Sequence, residues 1–595
     1  MKELYTDVFD YIVRQSTAYE KPIQTGSKTW SMKDHIERST LYRDSDIVGV
    51  KGKFTPIKNI TRPILNLQYR TEDLDVKDVQ IYIDDETKYH LSFLVKKYHD
   101  DVFVQENDID TFFDELNQSR IDYGGGLTKA LAVGRETVPL SSIVFCDQRD
   151  MLSRPIGLKH SYSPDELIEM EKLGWGKTEN GATATVRELI TLAREDQKEN
   201  VSEGDIEVIE VHGNLPKRFA DRRDDSGEYE SRLFICAFYT KMNSKEKNGV
   251  ILFTKPEPTS PFKLIKRDPI YGRALGFGGA EELFEDQLWT NYAQIRKLQM
   301  MDSASKTILG ATGAGSTSIA NMNKIDDLDN NEILDLGDGD LKQIDTFPRN
   351  FQLFDNFVEE LGIHAKEMGA AQDPLQGSES PSGTPFAALQ AQIQQGLGLH
   401  DYRRGIFAKH IEEIYKEDYI PMIIKKITQG TKFLSELSLG ELQYVEEKMT
   451  DRAANDFVKE KILNGDVITR EEVDAFKETF AEDFRKKGEK QFIEILKGEF
   501  KNVKLAVKVS VAGKSKNLGK ATDVLVNIFR FAFSNPQGFG MTMQIPGMAA
   551  GFNQILEFAG LNPVNFAGIE KLAQPQPQPQ QAAPVKTPPE LPTTV

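Results

Sequence analysis

RNFQLFDNFVEELGIHAKEM, residues 349–368, spaces Phe351, Phe354, Val358, Leu361, Ala365 and Met368 at alternating intervals of three and four. Such intervals put all six on one narrow helical stripe, a seam suited to lie along another helix rather than to cover a broad core. The partner is expected upstream. From about Glu281 to Ile308, Phe284, Leu288, Tyr292, Ile295 and Leu298 recur along one side of a second helix. Between the two runs a Gly- and Asp-rich stretch, Leu309 to Pro348, without helical periodicity. The pattern reads as an antiparallel helix pair carrying a small module at its tip.

Downstream, AAQDPLQGSESPSG (370–383) interrupts the seam helix. Thr384 then supplies an N-cap and Pro385 a first-turn proline for the longest helix of the chain. Its apolar face (Phe386, Leu389, Ile393, Leu397, Phe407, Ile411, Ile414) continues to about Ile427, which spans about 65 Å if straight. Gly396, Gly398 and Gly405 cluster near its middle, where a kink is expected. Capping boxes at Ser438–Glu441 and Thr469–Glu472 predict two further helices.

The first half reads as mixed α and β. Leu4, Val8 and Ile12 mark a helix, and DIVGVKGKF and DVQIYIDD read as short strands. Ser163-Pro164-Asp165-Glu166 is a well-specified helix start. DIEVIEVHG, RLFICAFYT and NGVILFTK, separated by charged turns, predict an antiparallel sheet with one wet face. The fold class is α+β, mainly helical.

At 595 residues the chain exceeds what one core organises, so several subdomains are expected. It carries 74 basic and 92 acidic residues, a net −18, which argues against a sequence-reading nucleic-acid binder with a basic face. An acidic wall past which nucleic acid slides is compatible with that balance. Cys146 and Cys236 sit in apolar strand-like runs and read as reduced, buried thiols. MKELYTDVFDYIV lacks a signal-peptide pattern. The uncharged run from Phe531 to Leu556 contains Pro536 and Pro546, so no membrane span is expected.

KLAVKVSVAGKS ends in Gly513, Lys514 and Ser515, but Lys508 stands where a phosphate-binding loop needs its first glycine. Its strand also alternates, whereas such loops follow strands apolar on both faces. SIVFCD, ending at Asp147, resembles an acidic strand end that holds magnesium, yet it lies far upstream of Gly513, the reverse of the usual order. GRALGFGG (272–279) has dinucleotide-like glycine spacing after a polar, proline-rich stretch instead of a buried strand. The acidic run Asp326 to Asp340 fails the calcium-loop pattern, because Glu332 follows Asp327, Asp329 and Asn331 where glycine is needed. His400 and His410 share a helix without a ligand set. No metal, cofactor or catalytic residue is expected.

In its order of features the chain resembles the portal proteins of tailed double-stranded DNA bacteriophages, over about Pro261 to Ala567. IYGRALGFGGAEELFEDQLWTNYAQIRKLQ is similar to the portal entry into the first stem helix, and ESPSGTPFAALQAQ to the tunnel loop and the start of the long kinked helix. Pro385 and Phe386 stand where alanine and an aliphatic residue are commoner in the family. KSKNLGKATDVLVNIFRFAFSNP is similar to the return into wing and crown. Upstream, the likeness rests on the mixed α/β pattern and on NQSRIDYGGGLTKALAVGRETVPL.

The resemblance implies a wing at 1–280, stem helices at 281–308 and 349–370, a clip at 309–348 and a tunnel loop at 371–383. It further implies a long helix at 384–428 beginning at Gly383 and Thr384, a wing return at 429–516, a crown at 517–573 and a Pro/Gln-rich tail at 574–595. It implies a homo-dodecameric ring in the virion, assembled in the host cytoplasm at one capsid vertex against the major capsid protein. Double-stranded DNA would pass its channel against Gln372, Asp373, Gln376, Ser378, Glu379, Ser380 and Ser382. The clip, with Asp326, Asp327, Asp329, Asp338 and Asp340, would dock the terminase large subunit and then head–tail adaptor or tail proteins. The rival reading is a non-viral structural protein that uses the helix pair as an oligomerisation arm.

Overall fold

The computed structural model describes residues 6–25, 28–44, 58–83, 89–195, 205–220, 226–240, 247–305, 308–312, 340–344, 351–371, 375, 386–429, 439–483, 505–509 and 530. It is α+β and mainly helical. The chain divides into two compact units: Met1–Asp84 with Leu94–Ile427 and Lys504–Val511, and a second made of Asp85–Phe93, Thr428–Val503 and Ala512–Val595.

In the first unit, β1 (Ile23–Thr25) and β2 (Lys28–Trp30) form a small ribbon. β3 (Val79–Ile83) follows, then β4 (Gly125–Ala130) and β5 (Arg135–Val138). A five-stranded antiparallel sheet comprises β6 (Ile143–Phe145), β7 (Ile156–Tyr162), β8 (Ile206–Pro216), β9 (Tyr229–Thr240) and β10 (Lys247–Pro256), in the order β10-β9-β8-β7-β6. β11 (Phe262–Lys266) pairs with β4, and β4 with β5, in a three-stranded sheet.

The expectation of one wet face on the larger sheet is corrected. Ile209, Val211, Phe234, Cys236, Phe238 and Ile251 face a core shared with Val8, Phe9 and Ile12 of the helix Thr6–Tyr19 and with Leu127 and Phe262 of the smaller sheet. The alternate residues Ile206, Val208, Leu233, Ile235, Ala237, Val250 and Leu252 face a second core under Leu167, Val186, Leu189 and Ile190. Those four come from the helices Pro164–Met170 and Val186–Glu195. Burying such a side chain contributes about 1.5–3 kcal/mol, so a strand apolar at every position gains from cover on both faces. The first covering helix starts as expected, with Pro164 at its first position and Glu166 accepting the Ser163 N–H at 2.9 Å.

The helical part of this unit is built on the helices Thr61–Thr71, Ile109–Tyr123, Phe284–Ser305, Phe351–Met368 and Phe386–Ile414. The first of the hairpin pair begins later than expected: a short helix Gly279–Glu282 precedes Phe284–Ser305, with a break at Leu283. Asp286 reaches His364 at 2.9 Å, and Lys297 pairs with Asp355. Since the lower number on one helix meets the higher on the other, the two run antiparallel. β12 (Ile308–Thr312) and β13 (Asp340–Ile344) form a two-stranded antiparallel ribbon beyond the first hairpin helix.

The long helix carries a π-helical turn at Tyr415–Tyr419 before Ile420–Gln429. Helical hydrogen bonding runs unbroken through Gly396, Gly398 and Gly405, so the irregularity falls later than the glycines had placed it. The reason is Pro421, which lacks an N–H and crowds the carbonyl four residues back, inside that turn. A second π turn, His99–Phe103, packs against it: His99 Nε2 lies 2.8 Å from Tyr415 Oη, and the Phe103 and Tyr419 rings meet edge to face. β14 (Leu505–Val509) pairs antiparallel with β3.

In the second unit, the helix Leu439–Leu463 and a helix at 470–483 are joined through Gly465, whose φ of 82° suits a helix end. Phe457 stacks on Phe476 with ring centroids 4.4 Å apart, and Lys477 pairs with Asp451 at 2.8 Å.

Candidate functional site at the root of the helical hairpin

Two glycine motifs, distant in sequence, interlock where the helical hairpin leaves the sheets. Gly124 ends the helix Ile109–Tyr123 with φ 77°, and its carbonyl accepts the N–H groups of Arg267 (3.0 Å) and Gly276 (3.1 Å). A Cβ on Gly124 would lie 2.4 Å from the Gly276 carbonyl oxygen, and one on Gly276 would lie 2.5 Å from that of Asp268. Gly278 sits as close to the backbone of residues 122–124. Gly276 and Gly278 of GRALGFGG therefore serve backbone-to-backbone contact, which only glycine permits.

Beside this junction lies a buried ion cluster. Glu72, just past the helix Thr61–Thr71, is fully enclosed and pairs with Arg267 (2.8 Å), Arg120 (3.1 Å) and His400 (3.1 Å). Arg403 reaches Glu282 (2.5 Å) and Asp268 (2.6 Å), and Arg267 also reaches Glu282 (3.4 Å). Three guanidiniums thus face three carboxylates, a balance without which burial of either sign would be prohibitive. Burial alone would raise the Glu72 carboxyl, but Arg267, Arg120 and the His400 hydrogen bond hold it far below its usual 4.5. Burial pushes Arg120 down to about 10, which still leaves it charged near neutrality. The cluster ties the end of one helix (Glu72), the last turn of another (Arg120), the hairpin entry (Arg267, Glu282) and the long helix (His400, Arg403) to one point.

The hairpin has an inverted surface. In its first helix the buried side chains are Asp286, Gln287, Thr290, Asn291 and Ala293, while Leu288 (44% exposed), Trp289 (48%) and Tyr292 (50%) face outward. Gln287 explains part of this: its amide oxygen accepts the Ile60 N–H at 2.8 Å and its nitrogen donates to Lys58 O at 3.0 Å. In the second helix, Val358 and Ala365 of the seam are buried, as the spacing predicts, but Met368 is exposed, as are Leu353, Phe357 and Ile363 off the seam.

Gln372, Asp373, Gln376, Ser378, Glu379, Ser380, Ser382, Gly383, Thr384, Asp326, Asp327, Asp329 and Asp338 lie outside the described residues, as do the crown apart from Arg530 and the Pro/Gln-rich tail. Asp340 opens β13 opposite Thr312. Gly398 and Gly405 would meet nothing within 4 Å if given a Cβ. Gly513, Lys514 and Ser515 are also outside the described residues, but the strand that leads to them belongs to a two-stranded antiparallel ribbon. Asp147 is a turn residue, accepting the Arg149 N–H at 2.8 Å and pairing with Arg154 at 3.0 Å. Among the described residues, no group of three or more His, Cys, Asp or Glu is placed to hold a metal, and no helix is long and apolar enough to cross a membrane.

Sequence reading passed over Glu72, Arg120, Arg267, Glu282 and Arg403 entirely. Arg120 and Arg403 sit among apolar residues on their helices, but Glu72 and Arg267 lie just past a helix and a strand, where nothing nearby in sequence marks them. No protein-family model matches the chain, and no curated protein matches it either.

Proposed function

We propose that the chain is a portal protein of a tailed double-stranded DNA bacteriophage. It would be one subunit of a homo-dodecameric ring, set at a single capsid vertex against the major capsid protein, through which the genome is packaged and later ejected. The observation that carries this reading is the inverted helical hairpin. An antiparallel pair that buries polar groups at its root and turns Leu288, Trp289, Tyr292, Leu353, Phe357 and Ile363 outward needs neighbours to cover them. The long helix anchored to that root, the antiparallel ribbon beyond the hairpin and the acidic chain fit a ring subunit whose channel does not trap DNA.

In this reading the residues 371–383 line the channel, with Gln372, Asp373, Gln376, Ser378, Glu379, Ser380 and Ser382 grazing the phosphate backbone. The tip at 309–348, with Asp326, Asp327, Asp329, Asp338 and Asp340, docks the terminase large subunit and then head–tail adaptor or tail proteins. The chain itself is not an enzyme and takes no cofactor; the packaging ATPase belongs to the terminase.

The rival reading is a non-viral structural protein that oligomerises through a helical arm, which needs neither the long helix anchored at the root nor a closed ring. Native mass spectrometry with negative-stain images separates the two. Twelve copies of 67.1 kDa in a closed ring, about 0.8 MDa with a central hole, is the expected result. A stable monomer or two-fold dimer at high concentration would overturn the portal reading.

A further inference from the structure

The second hairpin helix ends in a strained cap. Ala371 N–H donates to Lys366 O at 2.8 Å and Ala370 N–H to Glu367 O at 3.2 Å, the paired bonds of a Schellman motif. The left-handed position of that motif favours glycine, yet Ala370 occupies it with φ 51°. A glycine stands one residue earlier, where it is needed for another reason. A Cβ on Gly369 would lie 2.3 Å from Ile64 Cγ2, and the Gly369 carbonyl accepts from Gln68 Nε2 at 3.2 Å.

The strained residue is gripped from the long helix. His400 is fully buried, with Nε2 3.2 Å from the Ala370 carbonyl oxygen and Nδ1 3.1 Å from Glu72 Oε1. Each ring nitrogen thus faces an oxygen, one of the Glu72 carboxylate and the other of the Ala370 peptide. The charged groups around this imidazole are Glu72, Arg403 on its own helix, Arg120 and Arg267 across Glu72, and Glu282 beyond them.

We infer that His400 is a positioning residue, a latch that holds the strained end of the second hairpin helix against the long helix. The buried ion cluster fixes the latch, and Ala370 makes it necessary. In the portal reading, on which this last consequence rests, load on the hairpin passes through Ala370 and His400 to Glu72 and its arginines, so hairpin and long helix move as one body.

Hydrogen exchange read by mass spectrometry on the full chain tests the latch. Peptides over 366–371 are compared with peptides from β8, which serve as the internal reference. His400→Leu is expected to speed exchange at 366–371 by about tenfold, the loss of one net hydrogen bond, and to leave β8 unchanged. Ala370→Gly relaxes the cap and is expected to slow exchange there on its own. In the Ala370→Gly background, the His400→Leu effect should shrink to less than about threefold, a coupling that a merely space-filling histidine lacks. His400→Gln, which keeps one donor, should fall between.

Equal effects of His400→Leu in both backgrounds, or faster exchange in Ala370→Gly alone, overturns the latch. Should His400→Leu not fold, the single Ala370→Gly and His400→Gln measurements decide the matter. Native mass of the same samples keeps the two ideas apart. A ring without the coupling removes the latch alone, and a monomer with the coupling removes the portal reading alone.

Discussion

Glu72 is the residue on which most of the buried charge converges, and its electrostatics set a direction for acid sensitivity. Its folded carboxyl sits below its ordinary 4.5, so the stability it contributes is present above that value and is lost as pH falls toward the folded one. Glu72→Gln strands three buried guanidiniums on two carboxylates and is expected to cost about 3–5 kcal/mol at pH 7. Urea unfolding between pH 6 and 3 checks both points: the wild type loses stability steeply, the variant less so. Parallel slopes would show that Glu72 is not the titrating group. His212 has the opposite sense. Burial alone would lower it, but Glu210 at 3.1 Å and Glu257 at 2.6 Å raise it above 6.5. Its contribution is complete below 6.5 and is lost as pH rises through the folded value. Thermal midpoints from pH 6 to 9 should therefore fall in the wild type and stay flatter in His212→Gln. At the glycine junction, Gly276→Ala drives a Cβ into two backbone carbonyls and is expected to cost at least about 1–3 kcal/mol, read as a lowered thermal midpoint.

Among the elements, the hairpin and the long helix make separable predictions. Gly398 stands inside an unbroken helix with open space where its side chain would be. Gly398→Ala should stabilise the isolated subunit by about 0.8–1 kcal/mol in chemical unfolding; a loss of stability would mean that this glycine serves a bend. On the hairpin, Leu288→Glu combined with Phe357→Glu should leave the far-ultraviolet circular dichroism unchanged, because both side chains are already exposed. The same double variant should lose its assembly in native mass spectrometry and appear at 67.1 kDa. An intact oligomer would mean that other surfaces hold the copies together.

Within the first compact unit, the sheet core reaches Leu127, Ala274 and Leu275 beside the glycine junction, and the ion cluster lies next to that junction at the root of the hairpin. A ring subunit loaded along its channel needs such a root, because a hairpin held by apolar contacts alone slides more readily than one fixed by directional ion pairs and hydrogen bonds. The portal reading makes its firmest prediction at this scale, the closed ring of about 0.8 MDa. Nucleotide binding gives an independent check. Millimolar ATP is expected not to bind, and binding that disappears in Lys514→Ala would return Gly513, Lys514 and Ser515 to the centre of the function.

Local sequence carried the elements whose formation depends on near neighbours. The seam of residues 351–368, the Ser163 capping box, the helix over Val8 and Ile12 and the alternating strand at 505–509 were all legible, because periodicity and caps act within a few residues. The two-sided cover of the larger sheet was not read from it: the charged turns around RLFICAFYT pointed to one wet face, and the helices that cover the second face come from separate stretches of chain. What only the tertiary structure decided was which face meets which neighbour. A helical period cannot say that Gln287 turns inward to Lys58 and Ile60 while Tyr292 turns out. Nor can it say that Gly124 meets Gly276, or that Glu72 finds Arg267 and His400. Those partners of Glu72 lie 195 and 328 positions away in the chain, and such long-range contacts are fixed by the packing of whole elements, not by the residues beside them.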